Sequence, residues 1–263
     1  MKKVTIIFIT FIIGITTKGY GQYNETIRSG RPGQSIGPFT VGKNVFQMQN
    51  GVDFNSTSGT KYNYNLTDFN GVFRFGITEP FEVGLGLNYI SEKKELNNLP
   101  SSSMSGLSSF SLRIRSNVYQ GKGLIPSVGY QFNLALPYVS EIYQPDHVAP
   151  KITIITSQSI TQKLGLATNF GFAWNGVSSN PKGFYIVNLG YSINNKWSVF
   201  VENYGTEENN QLNSKFDGGV AYLMNNDLQL DVFGGYDQSN NVKEWFVSVG
   251  FSWRIRLKKD LAE

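Results

Sequence analysis

The sequence predicts an all-β protein, a closed antiparallel transmembrane β-barrel of about twelve strands behind an N-terminal signal peptide. Three observations predict it: an export signal at the start, a composition poor in charge and rich in aromatics, and repeated segments in which apolar and polar residues alternate.

The export signal comes first. Lys2 and Lys3 precede the apolar run Val4 to Ile15, and small and polar residues follow as far as Gly19-Tyr20-Gly21, so residues 1–21 read as a signal peptide cleaved before Gln22. The run is too short to anchor the chain, since a helix needs roughly twenty apolar residues to cross hydrocarbon. The 263 residues contain no cysteine, which excludes a lipid-modified cysteine at the cleavage site, a disulfide and a thiolate metal site.

Charged residues make up 16%, against the roughly 25% of soluble domains, while Phe, Tyr and Trp together reach 14%. No later stretch is apolar enough for a membrane helix, so the apolar surface is dispersed through alternating segments, and among membrane folds only the closed barrel does that. The formal charge of +4 includes the signal lysines and Arg254, Arg256, Lys258 and Lys259 of the tail. It forms no basic face for nucleic acid.

The alternation is clearest at the end. Trp245, Val247, Val249, Phe251, Trp253 and Ile255 face one way, with Glu244, Ser248, Gly250, Ser252 and Arg254 facing the other. One face meets lipid and the other a polar interior. The same pattern runs through Leu112 to Val118, Val128 to Leu134, Leu164 to Trp174 and Leu228 to Val232. With Gly, Pro, Asn and Asp clusters read as turns, strands fall near 45–54, 61–77, 81–92, 106–119, 124–136, 150–160, 163–175, 183–193, 196–205, 211–224, 227–237 and 242–256. Alternation slips in the second strand near Asp68, and the sixth strand is weak. Short turns such as Thr78-Glu79-Pro80 and Asn225-Asn226 interleave with longer connections, Lys93 to Ser105 and Pro137 to Ala149 among them. That asymmetry places both termini in the periplasm of a Gram-negative cell, with Trp197 and Trp253 near the periplasmic interface and Val249, Phe251, Phe132 and Leu166 in the lipid-facing band. A soluble lipocalin-like barrel also alternates, but its exposed face would carry Lys and Glu rather than Ser, Asn and Gly.

The layout is thus a signal peptide (1–21), a polar segment (22–44), the barrel (45–256) and a short tail (257–263). The last strand, Ser248-Val249-Gly250-Phe251-Ser252-Trp253-Arg254-Ile255, resembles the signal read by the barrel-assembly machinery. The polar segment holds Arg31-Pro32-Gly33 and then Gly37-Pro38-Phe39-Thr40-Val41-Gly42-Lys43, leading into Phe46-Gln47-Met48-Gln49-Asn50-Gly51-Val52-Asp53-Phe54. Here the sequence resembles a family of predicted outer-membrane transporters named for a meta-pathway of phenol degradation. Ser29 and Gly30 stand where that family commonly has an acidic residue before the arginine. What the resemblance implies is transport.

Catalysis has little to work with. The only histidine, His147, lies in Tyr143-Gln144-Pro145-Asp146-His147, a proline-flanked outer turn, and any Ser/His/Asp hydrolase would have to use it. No metal site, cofactor or catalytic residue is expected. The candidates are instead the interior charges: Arg74, Arg113, Arg115, Lys215 and Arg254 against Glu82, Glu202, Asp217, Asp231 and Glu244. Their balance fits either mutual pairing in a narrow lumen or an eyelet that orients a solute. Hairpin geometry places Arg74 beside Glu82, sets Arg113 or Arg115 opposite Glu82, and sets Glu202 opposite Lys215. It also leaves a local positive field that would favour anions. Residues 22–44 are long enough to enter the lumen, where Arg31 would meet an interior carboxylate; the alternative is a strap outside the barrel. The leading expectation is a passive channel or porin-like transporter in the outer membrane, with lipids, the assembly machinery and a small solute as partners. The alternative is a non-conducting structural or surface-interaction barrel.

Overall fold

The computed structural model describes residues 24–96, 99–208, 211–239 and 242–257. The expected signal peptide, and the expected tail beyond Leu257, lie outside the described residues. The strands are β1 (Val45–Ser58), β2 (Tyr62–Thr78), β3 (Phe81–Leu96), β4 (Ser102–Tyr119), β5 (Ser127–Ala135), β6 (Ala149–Ser159), β7 (Leu164–Ala173), β8 (Lys182–Ser192), β9 (Trp197–Glu208), β10 (Gln211–Asn225), β11 (Leu228–Ser239) and β12 (Val242–Arg256). Each pairs antiparallel with its sequence neighbours, and β1 closes onto β12 from Val45 opposite Arg256 to Ser58 opposite Lys243. Closure leaves no sheet edge, which hydrocarbon demands.

Burial is inverted relative to a soluble protein. Gln47, Arg74, Glu82, Glu202, Ser248 and Ser252 are buried. Large apolar side chains lie outside: Val201 is 60% exposed, Phe172 55% and Val249 44%. Interior polar and exterior apolar is the arrangement for which lipid is the outer solvent, so the barrel is an outer-membrane one and not a lipocalin-like one. Trp197 packs on Tyr222 with ring centroids 4.6 Å apart, and Trp253 stands opposite Met48 and Leu228. Both tryptophans sit toward the end of the barrel that carries the termini, where an amphipathic ring suits the headgroup level.

The two ends differ, but less by loop length than the sequence suggests. The connection expected from Lys93 to Ser105 is mostly strand: Lys94 pairs with Ser102 and Lys93 with Ser103. β2 has 17 residues and β4 has 18, well beyond the roughly ten that cross a bilayer. The ladder therefore continues into water, where both faces are polar and alternation disappears. The connection after β5 does remain long and holds a single 3₁₀ turn at Glu141–Tyr143.

Candidate functional site in the barrel lumen

Residues 24–44 form no strand, so their backbone groups need other partners. They find them on the inner wall, nearly all the way round. Near the terminal end, Arg254 donates to the Glu25 carbonyl, and the Ile27 N–H donates to Asn226 at 2.7 Å. Ser29 Oγ lies 2.6 Å from Ser252 Oγ. Farther along, the Asn169 amide both accepts from the Ile36 N–H at 2.7 Å and donates to the Ile36 carbonyl at 2.9 Å. Arg115 donates to the Gly37 carbonyl at 3.3 Å, Arg74 to the Phe39 carbonyl at 3.1 Å, and the Val41 N–H donates to Glu82 at 2.8 Å. The segment thus crosses from β11 and β12 past β9 and β7 to β4, β3 and β2.

Arg31 is its centre. Its guanidinium lies 3.0 Å from Asp231 and donates to Asn70 at 3.1 Å and to Ser248 at 2.7 Å. Gln229 donates to its carbonyl at 2.7 Å. The guanidinium lies over the directly paired glycines Gly51 and Gly250, and a Cβ on either would collide with it. Gly33 has φ +98°, and a Cβ there would meet the Phe200 ring at 2.9 Å. Arg-Pro-Gly therefore has a local reason: a cation for Asp231, then a left-handed glycine that turns the chain against β9. Immediately beyond, the N–H groups of Gln34 and Ser35 both donate to the Glu202 carboxylate.

The expected charge cluster assembles in one of its two registers. Arg74 stands opposite Gly84 and grips the diagonal Glu82 at 2.7 and 2.8 Å, while Arg115 stands opposite Glu82, 3.6 Å away. Arg115 also donates to Gln131, at 2.9 and 2.5 Å. Arg113, one rung outward, stands apart, with a single long contact to Ser111 at 3.4 Å. Arg254 pairs with Asp227 at 2.6 Å.

The expected opposition of Glu202 and Lys215 is incorrect. The β9–β10 connection spans only residues 209–210, so Glu208 pairs with Gln211, Glu202 faces Asp217, and Lys215 stands opposite Tyr204. Lys215 instead pairs with Glu244. The charges of Glu202 and Lys215 therefore do not cancel across this hairpin.

Sequence reasoning missed the neutral partners Asn70, Asn169, Gln229 and Ser248. Parity was the available signal, since Asn169, Gln229 and Ser248 lie on the polar side of their strands' alternation. Lys151, whose ammonium lies 4.3 Å from the Phe184 ring centroid, was also missed. His147 is exposed in the β5–β6 connection, its N–H bonded to the Gly176 carbonyl.

Two cavities flank the segment. One of about 200 Å³ is lined by Gln34 together with Asp53, Lys215, Asp237 and Glu244, toward the outer end. Another of about 390 Å³ is lined by Pro32 and Ser35 together with Lys163 and Ser192, toward the terminal end. The class of protein is thereby defined: a small outer-membrane β-barrel whose own N-terminal segment lies across its polar lumen. The chain belongs to the family described as "Putative MetA-pathway of phenol degradation", whose model matches residues 29–255. No curated protein matches the sequence. Among solved structures, it is similar to the COG4313 outer membrane channel from Pseudomonas putida F1, with a TM-score of 0.63 and 11% identity over 86% of this chain and 99% of that one. More distant are the NanC porin, at TM-score 0.49 and 11% identity over 78% and 100% of the two chains, and the toluene transporter TbuX of Ralstonia pickettii, at 0.46 and 11% over 92% and 100%.

Proposed function

We propose that the protein is a passive outer-membrane channel for small solutes, closed by residues 24–44 acting as a plug and carrying no enzymatic activity. The observation that carries this reading is the position of the segment, across the lumen between one cavity toward each end. Twelve strands enclose a lumen between the side-chain-filled interior of eight and the aqueous pore of sixteen. A plug held by an ion pair and hydrogen bonds, with no strand pairing to the wall, can therefore govern passage without a large movement of the wall. The family name and the similarly folded outer membrane channel of Pseudomonas putida F1 support transport as the activity. The last strand, β12, supplies the signal for the barrel-assembly machinery.

Deletion of residues 24–40, followed by planar-bilayer recording, tests the reading. The shortened barrel should show discrete conductance steps much larger than those of the full chain. Equal conductance in the two proteins would rule out the plug. Absence of current from both would favour a non-conducting structural barrel, a reading suggested by how completely side chains of the wall bind the segment.

A further inference from the structure

The engaged Arg115 and the unengaged Arg113 stand on the same face of the same strand, β4. Arg115 spends its donors on Gln131 and the Gly37 carbonyl beside Glu82. Arg113, two residues outward, has no ion pair among the described residues and only the long contact to Ser111. Its row continues across the wall: Arg113 stands opposite Asn133, and Asn133 opposite Lys151. Lys151 has no hydrogen bond or ion pair among the described residues; its ammonium rests on the Phe184 ring. Asn133 accepts from Gln131 at 2.7 Å through its oxygen, which leaves its amide N–H groups for another partner.

Two cations therefore stand in one row on either side of an amide donor, with their backbones on the order of 10 Å apart, two strand spacings. The Arg113 head leans toward β3, where a Cβ on Gly86 would meet it at 2.5 Å, and must swing back over Asn133 to share a ligand with Lys151. Both side chains are partly exposed to the lumen rather than sealed in the wall. Cations this close repel one another unless an anion lies between them, and low-dielectric walls strengthen that effect. The opposite wall has the other sign. Asp53, Asp237 and Glu244 line the cavity there, with Lys215 as the counter-ion of Glu244. A solute in the outer half of the lumen thus meets a transverse field that draws negative charge toward β4–β6.

We infer that Arg113, Asn133 and Lys151 form a seat for an oxyanion, so that the solutes handled by this barrel are small anions bearing a carboxylate or phosphate group. The inference rests on the channel reading for its biological sense, but the seat is a binding site that can be measured without current. The guanidinium offers a planar pair of donors to two oxygens, the amide a third donor, and the ammonium a compact charge on the far side. Arg74 and Arg115 are excluded from this role by their attachment to the segment.

The experiment is equilibrium titration of the full chain in a zwitterionic detergent at low ionic strength. Sodium malonate and inorganic phosphate are the probes, and methylammonium chloride is the cation control. Saturable binding of malonate or phosphate, with none of methylammonium, is expected, and the tighter probe identifies the group preferred. Arg113→Gln and Lys151→Gln should each weaken it by about tenfold or more. Lys122→Gln, which removes a charge from an exposed turn far from the seat, should leave it unchanged. Retained heat-modifiable mobility on gels shows that the variant barrels are folded. Failure of both anions to bind, or binding unchanged in the Arg113→Gln/Lys151→Gln double variant, would overturn the seat. Conductance of the 24–40 deletion separates the two ideas: current without anion binding removes the seat alone, and anion binding without current removes the channel.

Discussion

The two halves of the lumen use the same kinds of side chain in opposite ways. In the half near the termini, Arg74, Arg115, Glu82 and Glu202 are buried and the Arg31 side chain nearly so. These five groups have named partners, often a backbone group of the N-terminal segment, while Asp217 and one oxygen of Asp231 are the buried exceptions. In the outer half, Arg113 and Lys151 lack ion partners among the described residues, and the Lys215–Glu244 pair is partly solvated. Water makes the difference. Where the segment excludes it, an unpartnered polar group costs free energy, so the wall and the segment must match group for group. Where water or a solute can enter, a charge can stand without a protein partner and remain available. The comparison identifies the inner half as a fitted closure and the outer half as a vestibule.

The largest effect should come from breaking the centre of the fitted half. Arg31 is the counter-ion of Asp231, whose side chain is fully buried and whose second oxygen is already without a partner. Arg31→Met leaves that carboxylate sealed and uncompensated, a loss of about 3–5 kcal/mol for removing one member of a buried pair. The segment should leave the lumen while the barrel persists, because the strand ladders are untouched. Bilayer recordings should show conductance approaching that of the deletion. Wild-type closure in this variant would contradict the role given to Arg31.

A smaller effect follows from space alone. Gly51→Val and Gly250→Val each place carbon where the guanidinium now lies, an overpacking worth about 1–3 kcal/mol against the seated segment. At Gly51 the nearest atoms all belong to Arg31 and valine suits a strand better than glycine does, so Gly51→Val should not weaken the barrel itself. A Cβ at Gly250 also meets the Asn50 backbone carbonyl at 2.5 Å, so Gly250→Val should strain the β1–β12 ladder as well. Because the chain has no cysteine, a Ser35→Cys reporter gives a clean reading of exposure. Maleimide should label it faster when either valine is present, and equal labelling would mean that the segment yields without losing its position.

These side chains also show what the sequence revealed and what it concealed. Within the membrane each residue faces either lipid or the lumen, and the two solvents select opposite polarity, so period-two alternation located the strands and the inward set. Outside the membrane both faces meet water. There the pattern vanishes, and the rungs that pair Lys93 with Ser103 and Lys94 with Ser102 look like loop in the sequence. Register carried the larger consequence: a connection confined to residues 209–210 moved the partner of Glu202 from Lys215 to Asp217. Arg31 stood out as a cation in a polar stretch with no face of its own. Its neutral partners did not, because a serine or asparagine facing a polar lumen is unexceptional until something is seen to lie against it. Lys151 escaped notice because it follows Pro150 at the edge of the weakest strand.

Glu202 offers a variant that separates charge from hydrogen bonding within the fitted half. It accepts from the N–H groups of Gln34 and Ser35 and from Asn188 at 3.0 Å, yet it faces Asp217, a buried carboxylate with neither oxygen hydrogen-bonded. Glu202→Gln keeps one acceptor oxygen for the segment and removes one of two adjacent acidic groups. The lost charge-assisted bond and the relieved repulsion oppose each other, so the net change should be within about 1 kcal/mol. Glu202→Ala removes both functions and should increase labelling of the Ser35→Cys reporter strongly. If glutamine releases the segment as fully as alanine does, charge rather than hydrogen bonding holds the turn at Gln34.

The smallest effect belongs to the vestibule and distinguishes it from the closure. Lys215 and Glu244 form an ion pair by geometry, but their side chains are 30% and 38% exposed, and each keeps access to water. Exposed pairs of this kind contribute about 0–1 kcal/mol, because solvent screens the attraction and ordering two long side chains costs entropy. Neither residue touches the N-terminal segment through a hydrogen bond among those described, so no fitted partner is orphaned when one is removed. Lys215→Gln should therefore leave both the urea midpoint of the barrel and the labelling of the Ser35→Cys reporter unchanged. Its one expected consequence is local: Glu244 loses its counter-ion, the acidic wall becomes more negative, and the transverse field between that wall and β4–β6 rises. Reversal potentials of the 24–40 deletion in a salt gradient should then shift slightly toward cations, and the shift should shrink as salt rises from 0.1 to 1 M and the screening length falls from about 10 to about 3 Å. Release of the segment comparable to that of Arg31→Met, read as faster labelling of the Ser35→Cys reporter, would instead place this pair within the fitted half and erase the boundary between the two.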